Sequence, residues 1–385
     1  MKFEAEYNFH VPVRFYYGYR RFTKLGELLK NMGGRFLLVT GKQSMKKLGF
    51  TQEAVKMLGA KGKKVVIYDQ IGENPTTNMI DQGAKLAIDE KCDVIIGLGG
   101  GSAIDSAKGI AVVAGNGGGI WDYVEKKKSY IETLPIVAIP TTAGTGSESN
   151  FNLVVTNTEK RAKEGISNAS MFPTISILDP SLTENLPAHI TLNTAIDALG
   201  HCLESYVSTV ENAASEMLSI NGIWLIFRYL PSAIKDGKDK EARAALMLAA
   251  SMGGIAIIHG GLGVPHTIAM KLGGLYNIIH GRAVGIVLPH SIERSRHKIE
   301  NKLSILAGFL GVSKGKDVSQ NAGYFIEALH NLITELNFPT RLREIGIEKE
   351  EIPKIVEKCI GDDDLETDPM YWPRNEIKEF LEKII

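Results

Sequence analysis

The chain has 385 residues, of which 44% are hydrophobic and 23% are charged. At roughly 150 residues per domain, this length allows about two or three domains. Lysine plus arginine number 44 and aspartate plus glutamate number 44, so the formal net charge is zero. The balance gives no electrostatic reason to expect binding to nucleic acid or to an acidic membrane surface.

The cysteines and the hydropathy pattern indicate the compartment. Cys92, Cys202 and Cys359 are widely spaced and form neither a CxxC pair nor a disulfide framework. The sequence shows no basic-then-apolar leader and no run of about 18 apolar residues. We therefore expect a cytoplasmic protein without a transmembrane span.

The first half of the chain alternates short apolar runs with segments of helical periodicity. This alternation predicts an α/β dinucleotide-binding domain built on a parallel, doubly wound sheet. Strands are predicted at residues 35–41, 64–69, 93–98 and 135–140, and helices at 45–60, 77–91 and 102–114.

The second half is almost entirely helical in pattern. Asp179, Pro180 and Ser181 form a turn signal followed by a helix start, which places a domain boundary there. The prediction is therefore an N-terminal domain over residues 1–180 and an all-α C-terminal domain over 181–385. Helices are predicted at residues 191–207, 213–230, 240–259 and 321–336.

Two polar loops that follow predicted strands indicate a nucleotide site. Gly99, Gly100, Gly101 and Ser102 follow one strand and open a helix, where bare backbone N–H groups can bind phosphate. A second loop follows the next strand and is rich in hydroxyls and glycine. Its hydroxyls and glycines, over residues 140–148, suit contacts to phosphate, ribose or the nicotinamide amide.

The type of nucleotide follows from the residues after the first predicted strand. The glycine cluster lacks the last glycine of GxGxxG, and no GxxxxGK[ST] occurs, which disfavours a P-loop NTPase. An acidic residue after the first strand would bind ribose hydroxyls and repel a 2′-phosphate. Gly41 instead leaves room, and Lys42 and Ser44 could meet a phosphate, so we predict NADP(H) rather than NAD(H).

Histidines in the second half indicate a metal site. Asp197 and His201 lie at i and i+4, on one face of a predicted helix. His266 and His280 follow on segments that the Gly273-Gly274 pair should separate. One carboxylate and three imidazoles suit Zn²⁺ or Fe²⁺ with an open position. Spacing alone does not exclude His259 as a ligand.

At these residues the chain resembles the iron-containing (group III) alcohol dehydrogenase family. The resemblance rests on residues 99–108, 140–149, 178–187, 197–208 and 266–281, in the family's order. It implies an N-terminal dinucleotide-binding domain and a C-terminal helical domain. It also implies that the metal, Fe²⁺ or another divalent ion, is held by Asp197, His201, His266 and His280 rather than by His259.

The resemblance also implies cofactor contacts. The pyrophosphate loop falls on residues 99–102, with Asp105 beside it. The second cofactor loop falls on Thr141, Thr142, Thr145 and Ser147, and Lys163 matches a lysine that reaches the ribose. Asn74 belongs to a turn near the adenosine end. NAD-preferring relatives often carry Asp where this chain has Gly41, which again favours NADP. Many relatives have a substrate-side histidine where this chain has Met270, so we expect less polar substrates.

The expected reaction is reversible, metal-assisted hydride transfer between NADP(H) and a small alcohol/aldehyde or ketone pair. No protein nucleophile is expected, and Cys202 is interpreted as a buried small residue. Polyol or glycerol-type dehydrogenases on the same scaffold remain an alternative. So does a non-catalytic metal- or nucleotide-binding protein. The expected partner is a small molecule, and the expected oligomer is a homodimer.

Overall fold

The computed structural model describes residues 4–130 and 132–385, and the chain divides into two compact units. The sheet unit comprises His10–Leu186 and Lys238–Met247. The helical unit is formed mainly by Pro187–Gly237 and Leu248–Ile385. The domain boundary at residue 180 stays a prediction.

The sheet unit is built on six parallel strands in the order β1-β8-β5-β4-β2-β3. A separate antiparallel hairpin, β6–β7, follows β5 along the chain. The predicted parallel sheet is thus confirmed. The strands are β1 (Arg14–Tyr17), β2 (Arg35–Gly41), β3 (Lys64–Ile71), β4 (Val94–Gly99), β5 (Ile136–Pro140), β6 (Asn152–Asn157), β7 (Ala162–Ser167) and β8 (Ile175–Leu178).

Helices cover both faces of this sheet. On β2, Leu37 and Val39 belong to one apolar cluster, whereas Phe36 and Leu38 belong to the other. Because both faces are buried, the central strands read as continuous apolar runs rather than as alternating patterns. The helices are α1 (Leu25–Leu28), α2 (Ser44–Lys47), α3 (Phe50–Gly59), α4 (Thr77–Asp89), α5 (Gly101–Asn116) and α6 (Ile120–Val124).

From residue 187 onward the described chain is helical, as predicted. Val264, Ile268 and Leu272 pack with Val284 and Val287 in a core that also takes in the C-terminal helices. The helices are α7 (Ala188–Val207), α8 (Ala213–Lys235), α9 (Lys240–Gly260), α10 (Val264–Tyr276), α11 (His280–Leu310), α12 (Val318–Glu335), α13 (Ile352–Cys359) and α14 (Arg374–Ile384).

Two helices, α8 and α9, are long and apolar enough to cross a membrane by length and composition. Within the protein, 39% and 61% of their most apolar windows are buried. On α8, the buried positions include Ile220, Ile223 and Leu230, which recur at helical spacing. This is the pattern of core helices, and neither helix is a clear membrane span.

The sequence prediction of one helix over residues 45–60 was wrong. The segment forms two helices, α2 and α3, because Gly49 adopts a left-handed conformation (φ +81°) between them. The prediction also omitted β1, β8 and the β6–β7 hairpin. β1 and β8 have only four residues each, and β7 contains the strand-unfavourable Lys163, Glu164 and Gly165.

Candidate metal and nucleotide sites

Helix α7 supplies the first two predicted metal ligands. Asp197 and His201 are one helical turn apart, and both are buried, with 4% and 5% of their surface exposed. Glu204 lies on the same face, three residues after His201, and is 4% exposed. The helix therefore carries a polar row into an otherwise apolar interior.

Helix α10 places His266 in its first turn, and two buried carboxylates hold the start of that helix. Glu204 accepts hydrogen bonds from the backbone N–H of Gly263 at 3.0 Å and of His266 at 3.2 Å. Asp368 accepts from the backbone N–H of Val264 at 3.0 Å. The first N–H groups of a helix have no partner within it, so these carboxylates satisfy them and favour its macrodipole.

His280 is the first residue of α11, after the short connection from α10. The two histidines thus lie on separate helices, but the break is not at Gly273-Gly274, where the sequence predicted it. Helix α10 continues through both glycines to Tyr276 and ends at Asn277, which is left-handed (φ +55°). Asparagine tolerates this conformation, so it terminates the helix where the glycines do not.

The structure brings these side chains together. Ligand atoms of Asp197, His201 and His266 lie within 4.8 Å of one another. The Asp197 Oδ1 atom is 3.7 Å from His266 Nε2 and 3.6 Å from His280 Nε2. The His201 and His266 rings stack with centroids 4.6 Å apart, and the His266 and His280 centroids are 5.2 Å apart.

Two atoms at the centre of this cluster have unused bonding capacity. Among the described residues, neither Asp197 Oδ1 nor His266 Nε2 has a hydrogen-bond partner, although both atoms are buried. A buried polar atom without a partner is costly unless a ligand satisfies it. A carboxylate oxygen and imidazole nitrogens are the donor set of Zn²⁺ and Fe²⁺, so the residues fit a divalent ion.

The electrostatics of the cluster favour a positive charge. Burial acts to raise the pKa of Asp197, but the nearby imidazoles, His201 foremost, hold that pKa below its ordinary value. Burial acts to lower the pKa of His266, yet the Glu204 and Asp197 carboxylates hold it above its ordinary value. A bound cation would supply this charge in place of the His266 proton.

Three glycines allow the helices to approach the cluster closely. A Cβ atom on Gly281 would lie 2.1 Å from the Asn193 carbonyl oxygen and 3.2 Å from Asp197 Cβ. A Cβ on Gly200 would lie 3.2 Å from His266 Cε1, and one on Gly253 would lie 3.1 Å from His201 Cβ. Larger residues at these positions would move the helices or the imidazoles.

Two other residues that the sequence left open have different surroundings. The His259 Nδ1 atom lies 2.8 Å from the Ile255 carbonyl of its own helix, and its ring stacks on Phe9. Among the described residues, the metal-binding group is Asp197, His201 and His266, with His280 3.6 Å from Asp197 Oδ1, and it does not include His259.

Cys202 is fully buried, and burial raises the pKa of its thiol to about 12. A thiol in that state is a poor nucleophile.

The two predicted nucleotide loops lie side by side at the carboxyl ends of β4 and β5. Gly99 pairs with Pro140 across the sheet, and the Thr141 N–H donates to the Gly99 carbonyl at 2.9 Å. A Cβ on Gly101 would lie 2.5 Å from Thr145 Cγ2, and one on Gly100 would lie 3.3 Å from Thr142 Oγ1. Glycine at position 101 is therefore required for the loops to meet. Helix α5 begins at this point, and the first N–H groups of a helix can bind an anion.

A buried polar network lies beneath these loops. Lys108 Nζ donates to Ser147 Oγ and Asn150 Oδ1 at 3.0 Å each and to the Asn152 carbonyl at 2.6 Å. Asp105 accepts from Ser147 Oγ and from the Val154 N–H. Asp105 and Ser147 thus bond to each other. Burial lowers the pKa of the Lys108 ammonium to about 8. This network holds the second loop against α5.

The remaining predicted cofactor residues lie at the same edge of the sheet unit. Gly41 ends β2, and the next residue, Lys42, is exposed. Asn74 follows β3, and its Oδ1 accepts from the buried Lys163 Nζ at 3.3 Å. Ser102 Oγ donates to the Glu73 carbonyl. Ligands bind outside the carboxyl ends of parallel strands, which is where these residues gather.

The sheet unit is parallel and has glycine loops at its carboxyl edge, and the helical unit contains a buried Asp/His cluster. These two features define a metal-dependent, nucleotide-linked dehydrogenase. Residues 12–180 match the family model described as iron-containing alcohol dehydrogenase. Residues 191–385 match the model of the C-terminal part of the Fe-containing alcohol dehydrogenase family. The chain belongs to the iron-containing alcohol dehydrogenase family.

Full-length relatives agree. Alcohol dehydrogenase 4 of Saccharomyces cerevisiae is 33% identical over 377 residues, 97% of each chain. NAD-dependent methanol dehydrogenase of Bacillus methanolicus is 30% identical and covers 98% of this chain and 100% of its own. The crystal structure of an alcohol dehydrogenase from an archaeal halo-thermophile of a Red Sea brine pool superposes with a TM-score of 0.92 at 33% identity over 100% of both chains. The protein is thus an alcohol oxidoreductase of the iron type, which implies a small alcohol or aldehyde substrate and a nicotinamide cofactor.

Sequence reasoning did not single out Glu204 or Asp368. A signal for Glu204 was present, because positions 197, 201 and 204 share one helical face. For Asp368 the sequence contained no such signal, because the residue is 102 positions from His266. It lies in a loop and contacts α10 through the hydrogen bond from the Val264 N–H.

Proposed function

We propose that this protein catalyses reversible hydride transfer between NADP(H) and a small alcohol/aldehyde or ketone pair. The observation that carries the proposal is the buried cluster in which Asp197 Oδ1 and His266 Nε2 face each other without hydrogen-bond partners among the described residues. Such a cluster is suited to a divalent ion, and the family supplies the reaction class.

The proposed ligands are Asp197, His201, His266 and His280, with Fe²⁺ as the resident ion and Zn²⁺ as an alternative for the same donor set. Bound there, a divalent ion would lower the pKa of an alcohol hydroxyl and polarise a carbonyl. Asp197 contributes one negative charge, and the histidines contribute neutral nitrogens. No protein nucleophile is required.

The proposed cofactor is NADP(H) rather than NAD(H). Support comes from Gly41, which has no carboxylate to repel a 2′-phosphate, and from the exposed Lys42 beside it. The proposed contacts to the rest of the dinucleotide are Asn74, Gly99, Gly100, Gly101, Ser102, Asp105, Thr141, Thr142, Thr145, Ser147 and Lys163.

The proposed substrates are small and only weakly polar. Met270 lies one helical turn after His266 on α10, at the position where many family members carry a histidine. A thioether in that place offers no proton and little hydrogen bonding. Short diols are the second substrate class, since 1,3-propanediol dehydrogenase of Citrobacter freundii is 31% identical over 383 residues.

We also propose that the protein works as a homodimer in the cytoplasm. The three cysteines are free and buried, which suits a reducing compartment. A twofold dimer is the commonest arrangement of soluble oligomers. Sedimentation of the purified protein would measure the oligomeric state.

The variant His266→Ala tests the reaction. We expect it to lose turnover of every substrate because the metal loses a ligand, while the affinity for NADPH stays unchanged. The measurement is NADPH oxidation with a panel of aldehydes and hydroxyaldehydes on anaerobically purified protein, compared with NADH. The exposed His297→Ala, also in the helical unit, is the control.

Retained turnover by His266→Ala without bound metal would reject the mechanism. Wild-type protein that binds metal and NADPH but reduces no carbonyl would instead favour a non-catalytic binding protein. A preference for hydroxyaldehydes would favour the diol class.

A further inference from the structure

The carboxylate of Glu204 divides its two oxygens between different partners. Oε1 accepts from the backbone N–H of Gly263 at 3.0 Å and of His266 at 3.2 Å. Oε2 lies 2.5 Å from the His266 Nδ1 atom. Glu204 and His266 are 4% and 3% exposed, so water does not compete for these bonds.

This arrangement determines which nitrogen of His266 carries a proton. The Glu204 carboxylate acts as the acceptor in both backbone bonds and offers no donor, so Nδ1 must be the N–H that donates to Oε2. The lone pair of the neutral ring is then on Nε2, and Nε2 is the atom 3.7 Å from Asp197 Oδ1 in the ligand cluster. Glu204 therefore bonds both to the backbone N–H of His266 and to its imidazole ring.

We propose that Glu204 is a positioning residue that holds His266 in the Nδ1–H tautomer, with Nε2 and its lone pair directed into the metal site. The inference rests on the metal site of the proposed function and adds a fifth residue to it. The partner of a ligating histidine orients the ring and raises its basicity as a ligand.

A glycine on α7 lets the helix pack closely against the pair. A Cβ on Gly200, one turn before Glu204 on α7, would lie 3.3 Å from Glu204 Oε2 and 3.2 Å from His266 Cε1. The two side chains therefore occupy the space that the glycine leaves open. Gly200 thus brings α7 close to both the imidazole and the carboxylate.

The variant Glu204→Gln reverses the hydrogen bond at nearly constant volume. The amide oxygen should take the place of Oε1, where two backbone N–H groups require an acceptor, and the NH₂ group should face His266. An NH₂ group donates, so Nδ1 must accept and the proton moves to Nε2. A protonated Nε2 cannot bind a metal ion.

We therefore expect Glu204→Gln to bind Zn²⁺ about 10- to 100-fold more weakly than the wild type, the usual range for such partners. The measurement is titration of metal-free protein with Zn²⁺ against a competing chelator. Glu204→Ala removes the same charge but offers no donor to Nδ1, so it should lose less affinity than Glu204→Gln.

Asp368→Asn is the matched control for the helix. Asp368 is also a buried carboxylate and binds a backbone N–H of the same turn of α10, but it bonds to no imidazole among the described residues. If Glu204 only anchored α10, both variants would lose Zn²⁺ affinity equally, and that result would overturn the inference.

Nitrogen-15 NMR of histidine-labelled protein gives a readout that does not depend on any variant folding. In the wild type, His266 Nδ1 should be protonated in both the metal-free and the Zn²⁺-bound state, and in Glu204→Gln it should be unprotonated. An unprotonated Nδ1 in the Zn²⁺-bound wild type would overturn the inference alone. A wild type that binds no Zn²⁺ and no Fe²⁺ would overturn the proposed function with it.

Discussion

At the scale of single residues, the proposed preference for NADP(H) depends on position 41. Gly41 ends β2 with ordinary backbone geometry, and a Cβ there would meet only the Ile71 carbonyl oxygen, at 3.7 Å. Packing therefore does not require glycine at this position. Its contribution is the absence of a carboxylate at the edge where the dinucleotide loops gather.

Gly41→Asp should reverse the cofactor preference. The new carboxylate would repel a 2′-phosphate and accept hydrogen bonds from ribose hydroxyls. We expect the ratio of kcat/KM for NADPH over NADH to fall by about tenfold or more, equivalent to about 1.4 kcal/mol. Gly41→Ala adds the Cβ without the charge and should keep the preference. Equal ratios for the Asp and Ala variants would mean that position 41 does not select the cofactor.

At the scale of elements, the metal cluster depends on how closely α11 approaches α7. Gly281 lies in the first turn of α11, beside His280, and faces the Asn193 carbonyl of α7. The contact involves backbone on one side, so neither partner can give way by rotating a side chain. Helix α11 therefore carries His280 to Asp197 only as long as residue 281 has no side chain.

Gly281→Ala should weaken both the fold and the metal site. A Cβ 2.1 Å from a backbone oxygen must push the helices apart, and such overpacking typically costs about 1–3 kcal/mol. We expect a lower free energy of unfolding in urea and weaker Zn²⁺ binding. Gly308→Ala, in the same helix, meets nothing within 4 Å. That control should leave Zn²⁺ binding intact and unfold at the same or a slightly higher urea concentration, because alanine favours helices.

At the scale of the whole molecule, buried carboxylates near α10 should make stability depend on pH. Burial, aided by the neighbouring Asp362, raises the pKa of Asp364 to about 7. The folded protein then binds a proton more tightly at this group than the unfolded chain does. Through this group, the free energy of unfolding falls as pH rises from about 4 to about 7.

Asp364→Asn should remove that dependence. At pH 4 the wild-type group is protonated in the folded protein and most of its contribution to stability remains, so the variant and the wild type should differ least there. At pH 8 the variant should be the more stable, since it does not bury a charge. Urea unfolding of the metal-free proteins at both pH values measures this, with the exposed Asp363→Asn as control. A constant difference between Asp364→Asn and the wild type across this range would contradict the assignment.

The sequence predicted most of the architecture because its central strands and helices have strong local patterns. The apolar runs at β2, β4 and β5 require burial on both faces, and glycine clusters mark where they end. Local pattern could not predict the edge strand β1, whose four residues are partly exposed. Nor could it predict the end of α10, which depends on the left-handed Asn277 rather than on Gly273-Gly274.

The candidate site was predictable only in part, for a related reason. Asp197 and His201 share a helical face, so their proximity follows from spacing, but His266 and His280 come together with them only through packing. Glu204 binds a residue 62 positions away, and Asp368 binds one 104 positions away. Contacts of that range leave no periodic signal in the chain, and the resemblance to a family supplied what spacing could not.

The spread of the cluster along the polypeptide has a consequence for biosynthesis. The nucleotide loops are complete once residue 163 has been synthesised, whereas the last imidazole of the cluster is at position 280 and the carboxylate that caps α10 is at 368. A nascent chain can therefore form its dinucleotide-binding sheet long before it can hold an ion. Metal binding through this cluster therefore has to wait until residue 280 has been synthesised.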